Sequence, residues 1–324
     1  MVDSRYVIAV HGGAGTISSS PPESEAPYHQ GLKAALAAGA AVLEGGGSAL
    51  DAVQAAVESL EDCPLFNAGR GSVYTADAHH EMDAALMEGR HLAAGAVAGV
   101  HHVRNPVALA RSVMVSSGHV LMVGAGAECF AQQMGLAMEP EAYFHTDERL
   151  AQLRHVQSGG LDLLAAAAVP EAPLQENGKI GTVGAVARDC HGHLAAAVST
   201  GGLTGKRPGR VGDSAVIGAG IYANDLSCAV VTTGTGEHFI RAVAAYDVHA
   251  RMVYRGQTLQ EAAPDVVFGE LRRMGGRGGL IAVDALGDVR MPFNTSGMYR
   301  GLQRQGEPAC TAIFHEDGQA GFRP

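Results

Sequence analysis

Gly181-Thr182-Val183-Gly184-Ala185-Val186-Ala187 is the stretch on which the reading of this chain turns. It opens a strand-like run, Thr182–Arg188, directly behind a shift in composition. From Ser158 to Lys179 the chain carries Gly159-Gly160, a run of alanines, Pro170, Pro173 and Gly178, which predicts a linker. Three more glycine-rich stretches follow: Ser199-Thr200-Gly201-Gly202, Gly209-Arg210-Val211-Gly212-Asp213-Ser214 and Thr233-Gly234-Thr235-Gly236-Glu237. Each begins or ends a predicted strand and carries hydroxyls or charges where main chain can approach a small ligand. A single Thr beside Gly reads as a turn. Four such stretches between residues 181 and 237 argue for a site.

Working outward, Tyr6–Val10 reads as a buried strand running into His11-Gly12-Gly13-Ala14-Gly15-Thr16. Helices are predicted over about Gln30–Glu44, stopped by Gly45-Gly46-Gly47, and from an N-cap Ser48 to about Leu60. Cys63–Gly71 is a turn-rich loop. Strand-like runs at Ser72–Thr75, Met82–Met87 and Ala93–Val100 precede a helix start at Asn105-Pro106. Helices near Val107–Val115, Ala127–Met134 and Asp147–Gln157 complete the first half. Downstream, strands at Thr182–Arg188, His193–Ser199, Val216–Tyr222 and Cys228–Thr233 lead to helices Glu237–Val253 and Thr258–Met274. Strands at Leu280–Asp284, Val289–Met291 and Thr311–His315 close the chain. Elements in blocks predict sheets with helices on their outer faces, not a doubly wound parallel sheet.

The 324 residues suffice for about two domains or one large layered domain. A net charge of −10 argues against a nucleic-acid partner and against attachment to an anionic membrane by charge. The five cysteines, Cys63, Cys129, Cys190, Cys228 and Cys310, are odd in number and widely spaced. They predict reduced, buried thiols rather than disulfides or a CxxC metal site. The N-terminus, Met1–Arg5, lacks a signal peptide's apolar core, and no apolar run approaches the ~18 residues of a membrane span. The expectation is a soluble, cytoplasmic protein. Several familiar motifs fail. The G-x-G pairs lack the third glycine of a dinucleotide fingerprint, and Gly205-Lys206 lacks the upstream glycine of a P-loop. His79-His80-Glu81 has Ala84 where HExxH needs its second His, and G-x-S-x-G does not occur.

Seven segments together resemble the plant-type asparaginase/isoaspartyl peptidases of the N-terminal-nucleophile hydrolases. They are HGGAGT at 11–16, CPLFNAG at 63–69, GTVGAVA at 181–187, STGG at 199–202, GRVGDS at 209–214, TGTGE at 233–237 and PFNTSGMYR at 292–300. The resemblance implies an α/β fold, a four-layer αββα sandwich, made as one precursor that cuts itself between Gly181 and Thr182. The products would be an α subunit, 1–181, which includes the linker from about 158, and a β subunit, 182–324. Together they would form one domain, and two such heterodimers would pair. The implied nucleophile is Thr182, oriented by the Thr200 hydroxyl. Thr233 Oγ and the Gly234 N–H match the oxyanion hole. Arg210 and Asp213 match the readers of a substrate α-carboxylate and α-ammonium, Gly236 a main-chain contact to the amine, and Asn67 a residue lining the pocket beside Arg210. Leu60, Glu61, Cys63, Phe66, Ala68 and Arg70 match a loop whose main-chain carbonyls hold a structural sodium ion, with Arg70 where an apolar residue is familiar. No cofactor is implied for catalysis.

Chemistry argues in the same direction. A Thr hydroxyl needs a base, and no convincing Ser/His/Asp set is evident. An N-terminal Thr supplies its own α-amine, whose pKa lies near 7.7–8.0. Read without the family, Arg210 and Asp213 could equally be a surface ion pair. Within it, a guanidinium fork and a carboxylate form a reader for a free amino-acid head group. That describes L-asparagine and β-aspartyl dipeptides alike. Two alternatives stand beside this reading. A glycosylasparaginase of the same fold uses a Trp-containing context near the second threonine, whereas this chain has Ser199-Thr200-Gly201 and no Trp. A non-catalytic binder of acidic amino acids would have no need of a nucleophile beside oxyanion donors.

Overall fold

The computed structural model describes residues 5–17, 21–158 and 181–315. The predicted linker lies outside the described residues apart from Ser158 and Gly181, as do residues 1–4. The chain opens with β1 (Val7–Gly15), α1 (Pro22–Glu44) and α2 (Ala49–Glu61). Ser48 caps α2 as expected, its Oγ accepting the Asp51 N–H at 3.2 Å. Next come β2 (Met82–Glu88), β3 (Ala94–Val100), α3 (Pro106–Ser112), β4 (Leu121–Val123) and α4 (Gly124–Gln133). Two more helices, α5 (Glu141–Phe144) and α6 (Asp147–Ser158), end the first half. The second half runs β5 (Val183–Arg188), β6 (Leu194–Thr200), β7 (Ile221–Ala223) and β8 (Cys228–Gly234). It continues with α7 (Gly236–Ala242), α8 (Ala244–Arg255) and α9 (Leu259–Pro264). Four strands finish it: β9 (Gly278–Asp284), β10 (Val289–Arg290), β11 (Gly297–Arg304) and β12 (Cys310–Phe314).

An eight-stranded sheet has the order β12-β11-β1-β5-β6-β2-β3-β4, and a four-stranded sheet the order β10-β9-β8-β7. Among the described residues only β3 and β4 pair in parallel, so the block-like order of elements did point away from a doubly wound sheet. Strand alternation sends successive side chains to opposite faces. Ile8, Val10, Val183, Ala185, Ala187, Ala195 and Ala197 pack with α1, α2 and α3 through Leu32, Leu36, Val53, Val57 and Leu109. The opposite face, including Val7, Ala9, Val186, Ala196 and Val198, packs with Ile221, Ala229, Val231, Ile281 and Val283 of the smaller sheet. That sheet's other face, with Cys228, Val230, Leu280 and Ala282, packs with Phe239, Val248, Leu259 and Val266.

Several expected boundaries shift, each for a visible reason. The Gly12-Gly13 doublet does not end β1. The strand continues to Gly15 through a register irregularity between His11 and Gly13 and stays paired with β11. Ser72–Thr75 is not a strand: the Val73 N–H donates to the Asn67 side chain, and only Thr75 bridges, to Lys206. Of Val216–Tyr222, only Ile221 and Tyr222 belong to a strand, because the Val216 and Gly220 N–H groups turn back onto the Asp213 carbonyl. The single helix expected over Glu237–Val253 breaks at Val243, whose φ is 49°. There the Ala245 and Tyr246 N–H groups donate to Ala219 and Gly218 carbonyls instead of continuing α7. Thr258 caps its helix, but after Pro264 the coil widens over Asp265–Leu271. The expectation of buried thiols holds for Cys228 alone; Cys129 is exposed, the others are half-buried, and all five are free. No helix among the described residues is long and apolar enough to cross a membrane.

Candidate active site

Thr182 stands immediately before β5, which lies between β1 and β6. Its hydroxyl donates to Thr200 Oγ1 at 3.2 Å, across the β5–β6 pair, and Thr200 Oγ1 also accepts the Gly202 N–H at 2.9 Å. Its main-chain N–H donates to Thr233 Oγ1, at the end of β8 in the other sheet, at 3.3 Å. Thr233 Oγ1 accepts a second N–H, from Ala14, at 3.1 Å. A hydroxyl oxygen has two acceptor positions and one proton. With both positions used, the Thr233 proton is left for a third partner. The three threonines expected at the reacting centre are therefore together and nearly buried.

Gly181, ahead of the bond in question, lies against β1. A Cβ at Gly13, whose φ is +112°, would stand 2.4 Å from Gly181 Cα. Gly234 has φ +150°, and a Cβ there would meet the Arg277 carbonyl oxygen at 2.3 Å. Glycine at these positions is a condition of the close approach. Neighbouring His11 is fully buried, with its Nε2 2.6 Å from where a Cβ on Gly184 would stand. Burial pushes the His11 imidazole down to about 3, against an opposing pull from the Thr182 main chain, so the ring is neutral.

Arg210 and Asp213 lie side by side without forming the ion pair that the sequence left open. Arg210 pairs instead with Glu237, Nε to Oε1 and Nη2 to Oε2, both at 2.9 Å. Asp213 Oδ2 accepts the Thr232 hydroxyl at 2.6 Å. Burial pushes the Asp213 carboxyl up to about 6, opposed by the Thr232 bond and the Arg210 charge. Gly236 lies between the two side chains: a Cβ there would be 2.7 Å from Asp213 Oδ1 and 3.0 Å from Arg210 Nη2. Asn67 is buried just beneath. Its Nδ2 donates to the Gly202 carbonyl at 2.8 Å and its Oδ1 accepts the Val73 N–H at 2.9 Å, so it buttresses the Gly201-Gly202 turn.

Three parts of this neighbourhood carried no role in the sequence reading. They are the Gly13-Ala14 segment, Glu237, and Lys206, whose buried ammonium donates to the Glu81 carbonyl at 2.7 Å. The first two lie inside quoted segments, HGGAGT and TGTGE, so the signal was their presence there. Lys206 lies between STGG and GRVGDS, and nothing local marks it.

In the loop expected to hold sodium, carbonyls converge on two glycines. A Cβ on Gly69 would meet the Glu61 oxygen at 2.4 Å, and one on Gly71 the Phe66 and Pro64 oxygens at 2.1 and 2.7 Å. Carbonyl donors of this kind suit a hard cation. Buried Arg149 anchors the same loop, Nε donating to the Gly71 carbonyl at 2.8 Å and Nη2 to that of Leu65 at 3.3 Å. The Arg70 side chain turns outward over the Tyr143 ring, 5.6 Å from its centre, leaving the main chain unobstructed.

Comparison with known proteins places the chain in a family. The asparaginase family profile matches residues 4–313. The isoaspartyl peptidase of Escherichia coli K12 is 52% identical over 316 residues, covering 97% of this chain and 98% of that one. The isoaspartyl peptidase of Salmonella typhimurium is 53% identical over 314 residues, with 96% and 99% covered. A probable isoaspartyl peptidase/L-asparaginase of Arabidopsis thaliana is 42% identical over 311 residues, with 91% and 95% covered.

Proposed function

The chain belongs to the asparaginase family, and we propose on that footing that it is a self-cleaving threonine hydrolase. It removes N-terminal β-aspartyl residues from dipeptides and hydrolyses L-asparagine to aspartate and ammonia. The observation that carries this reading is the seat of Thr182, with its hydroxyl on Thr200 and its main-chain N–H on Thr233.

In maturation, Thr182 Oγ attacks the Gly181 carbonyl carbon. The C–N bond to Thr182 breaks as the ester forms and the hydroxyl proton passes to the leaving nitrogen; water then hydrolyses the ester to a Gly181 carboxylate, leaving Thr182 with a free α-amine and its hydroxyl. In turnover, that amine takes the hydroxyl proton while Oγ attacks the β-carbonyl carbon of the substrate. The leaving amine departs with a proton, and water hydrolyses the acyl ester. The Thr233 hydroxyl and the Gly234 N–H face the charge that develops on the carbonyl oxygen. Arg210 and Asp213 hold the head group. Thr200 keeps Thr182 Oγ aligned through both reactions.

The three apolar seams described above support the finer reading of the fold, a four-layer αββα sandwich in which 1–181 and 182–324 form one domain. We also read the carbonyl loop of Leu60, Glu61, Cys63, Phe66, Ala68 and Arg70 as a structural sodium site, and the mature protein as a dimer of αβ heterodimers. Five free thiols favour the cytoplasm as its compartment. Mass spectrometry tests the proposal. The wild-type protein yields chains 1–181 and 182–324 and releases ammonia from L-asparagine, whereas Thr182→Ala stays uncut and inactive. An uncut wild type, or a cut Thr182→Ala protein, overturns it.

A further inference from the structure

Glu237 has no part in the reaction just described, yet its carboxylate pairs directly with the substrate-reading arginine. A guanidinium offers two edges that match a carboxylate: the side edge, Nε with one Nη, and the end edge, Nη1 with Nη2. Glu237 fills the side edge of Arg210 completely, with two bonds of 2.9 Å. The end edge lies against glycines, with the Lys206 side chain beside Nη1. Arg210 Nη1 is 2.9 Å from where a Cβ on Gly212 would stand and 3.2 Å from the corresponding point at Gly202. Nη2 is 3.0 Å from the point at Gly236, which is also 2.7 Å from Asp213 Oδ1. The end edge of the arginine and Oδ1 of Asp213 thus meet over one glycine. Burial opposes ionisation of Glu237, but the bonds and charge of Arg210 prevail and hold its carboxyl below the ordinary range.

Resting on the reading above, we infer that Glu237 is a positioning residue for substrate recognition: it clamps the side edge of Arg210 so that the end edge receives the α-carboxylate. A free arginine side chain has several rotatable bonds and would present either edge. The clamp removes that choice, so the carboxylate and the ammonium of one head group are read at a fixed separation. Glu237 is therefore no competitor of the substrate for Arg210; it uses donors the substrate does not need.

The test compares L-asparagine with 3-aminopropanamide, the same amide without its α-carboxylate. Glu237→Gln keeps the length of the side chain but places an N–H₂ against one guanidinium N–H. It is expected to raise KM for L-asparagine about 10-fold, with a much smaller fall in kcat. Its kcat/KM for 3-aminopropanamide should change less than about 2-fold, because that compound makes no use of the arginine. Glu237→Asp keeps the charge but loses reach, and should fall between the two. Equal losses on both amides, or an unchanged KM for L-asparagine, would overturn the inference and leave Glu237 as a structural partner only. Calorimetry with L-aspartate provides a readout independent of turnover. Weaker binding by Glu237→Gln supports the clamp, while equal or tighter binding refutes it. A wild-type protein that binds L-aspartate but turns over neither amide would defeat the proposed activity and leave this binding test standing.

Discussion

Gly13→Ala should leave the fold intact and stop the chain from cutting itself. The added Cβ would lie 2.4 Å from Gly181 Cα and 3.3 Å from the Gly181 carbonyl carbon. Non-bonded carbons rest at ~3.5–4.0 Å, so one of the two segments must yield by ~1 Å. Neither has slack: Gly13 is paired with Tyr299 of β11, and the Thr182 N–H is held on Thr233. The backbone adds its own penalty, since a φ of +112° at a non-glycine residue carries strain of about 1–3 kcal/mol. A misplacement of ~1 Å at a reacting centre lowers rates by about 100-fold. The assay is the time course of fragments 1–181 and 182–324 on a denaturing gel, beginning from freshly translated protein. The control is Gly126→Ala in α4, where a Cβ meets nothing within 4 Å. If Gly13→Ala is cut within a few-fold of the wild-type rate while the control behaves normally, the close packing of β1 on the scissile residue has no mechanistic weight.

Arg210→Lys keeps a charge but loses the planar fork that serves both Glu237 and the head group. A loss of ~1.5–3 kcal/mol predicts a fall of about 10- to 150-fold in kcat/KM for a β-aspartyl dipeptide, with self-cleavage still complete on a gel. Thr233→Val leaves the N–H groups of Ala14 and Thr182 without their acceptor and removes an oxyanion donor; kcat should drop about 100- to 1,000-fold in a steady-state assay. Asp213 must be ionised to receive an ammonium, and its carboxyl sits at about 6, so KM should fall as pH rises from 5 to 7 and level off above. Because that folded-state value is raised, the group favours the fold below its ordinary pKa of 3.8 and this contribution is lost as pH climbs through about 6. Asp213→Asn should therefore raise the thermal midpoint at pH 8 more than at pH 5 while weakening substrate binding, a contrast that calorimetry reads directly.

The centre of the site was legible because its residues lie beside glycines, in stretches that sit close together in the second half of the sequence. Thr182, Thr200, Thr233, Arg210, Asp213 and Gly236 all lie in the four glycine-rich stretches, and the family resemblance supplied the role of each. What escaped the sequence depends on pairing through space. The Ala14 N–H reaches Thr233 across 219 positions, and no pattern within either segment encodes the partner. The expected strand covers Tyr6–Val10 alone, and two glycines just beyond it ordinarily weaken a strand. Pairing with β11 overrode that preference, and β11 itself went unread as a strand. The Arg210–Glu237 pair escaped for a different reason. Asp213, three positions from Arg210, was the nearer acid in sequence, but it points into Thr232, and Glu237 arrives from α7.

The order of strands in the larger sheet has a consequence for the life history of the molecule. Strand β1, from the segment before residue 181, lies between β11 and β5, both from the segment after it, and β2 is bonded to β6. Under the proposed cut at 181, the two polypeptides would remain woven into one hydrogen-bonded fabric, unable to drift apart without dismantling it. Folding before the cut is a unimolecular search; afterwards it is an encounter between two strangers, governed by concentration. Such a cut would work as a ratchet: a cleaved molecule that unfolds in dilute solution would have lost the tether that made its return intramolecular, and its endurance would be set by how slowly it opens.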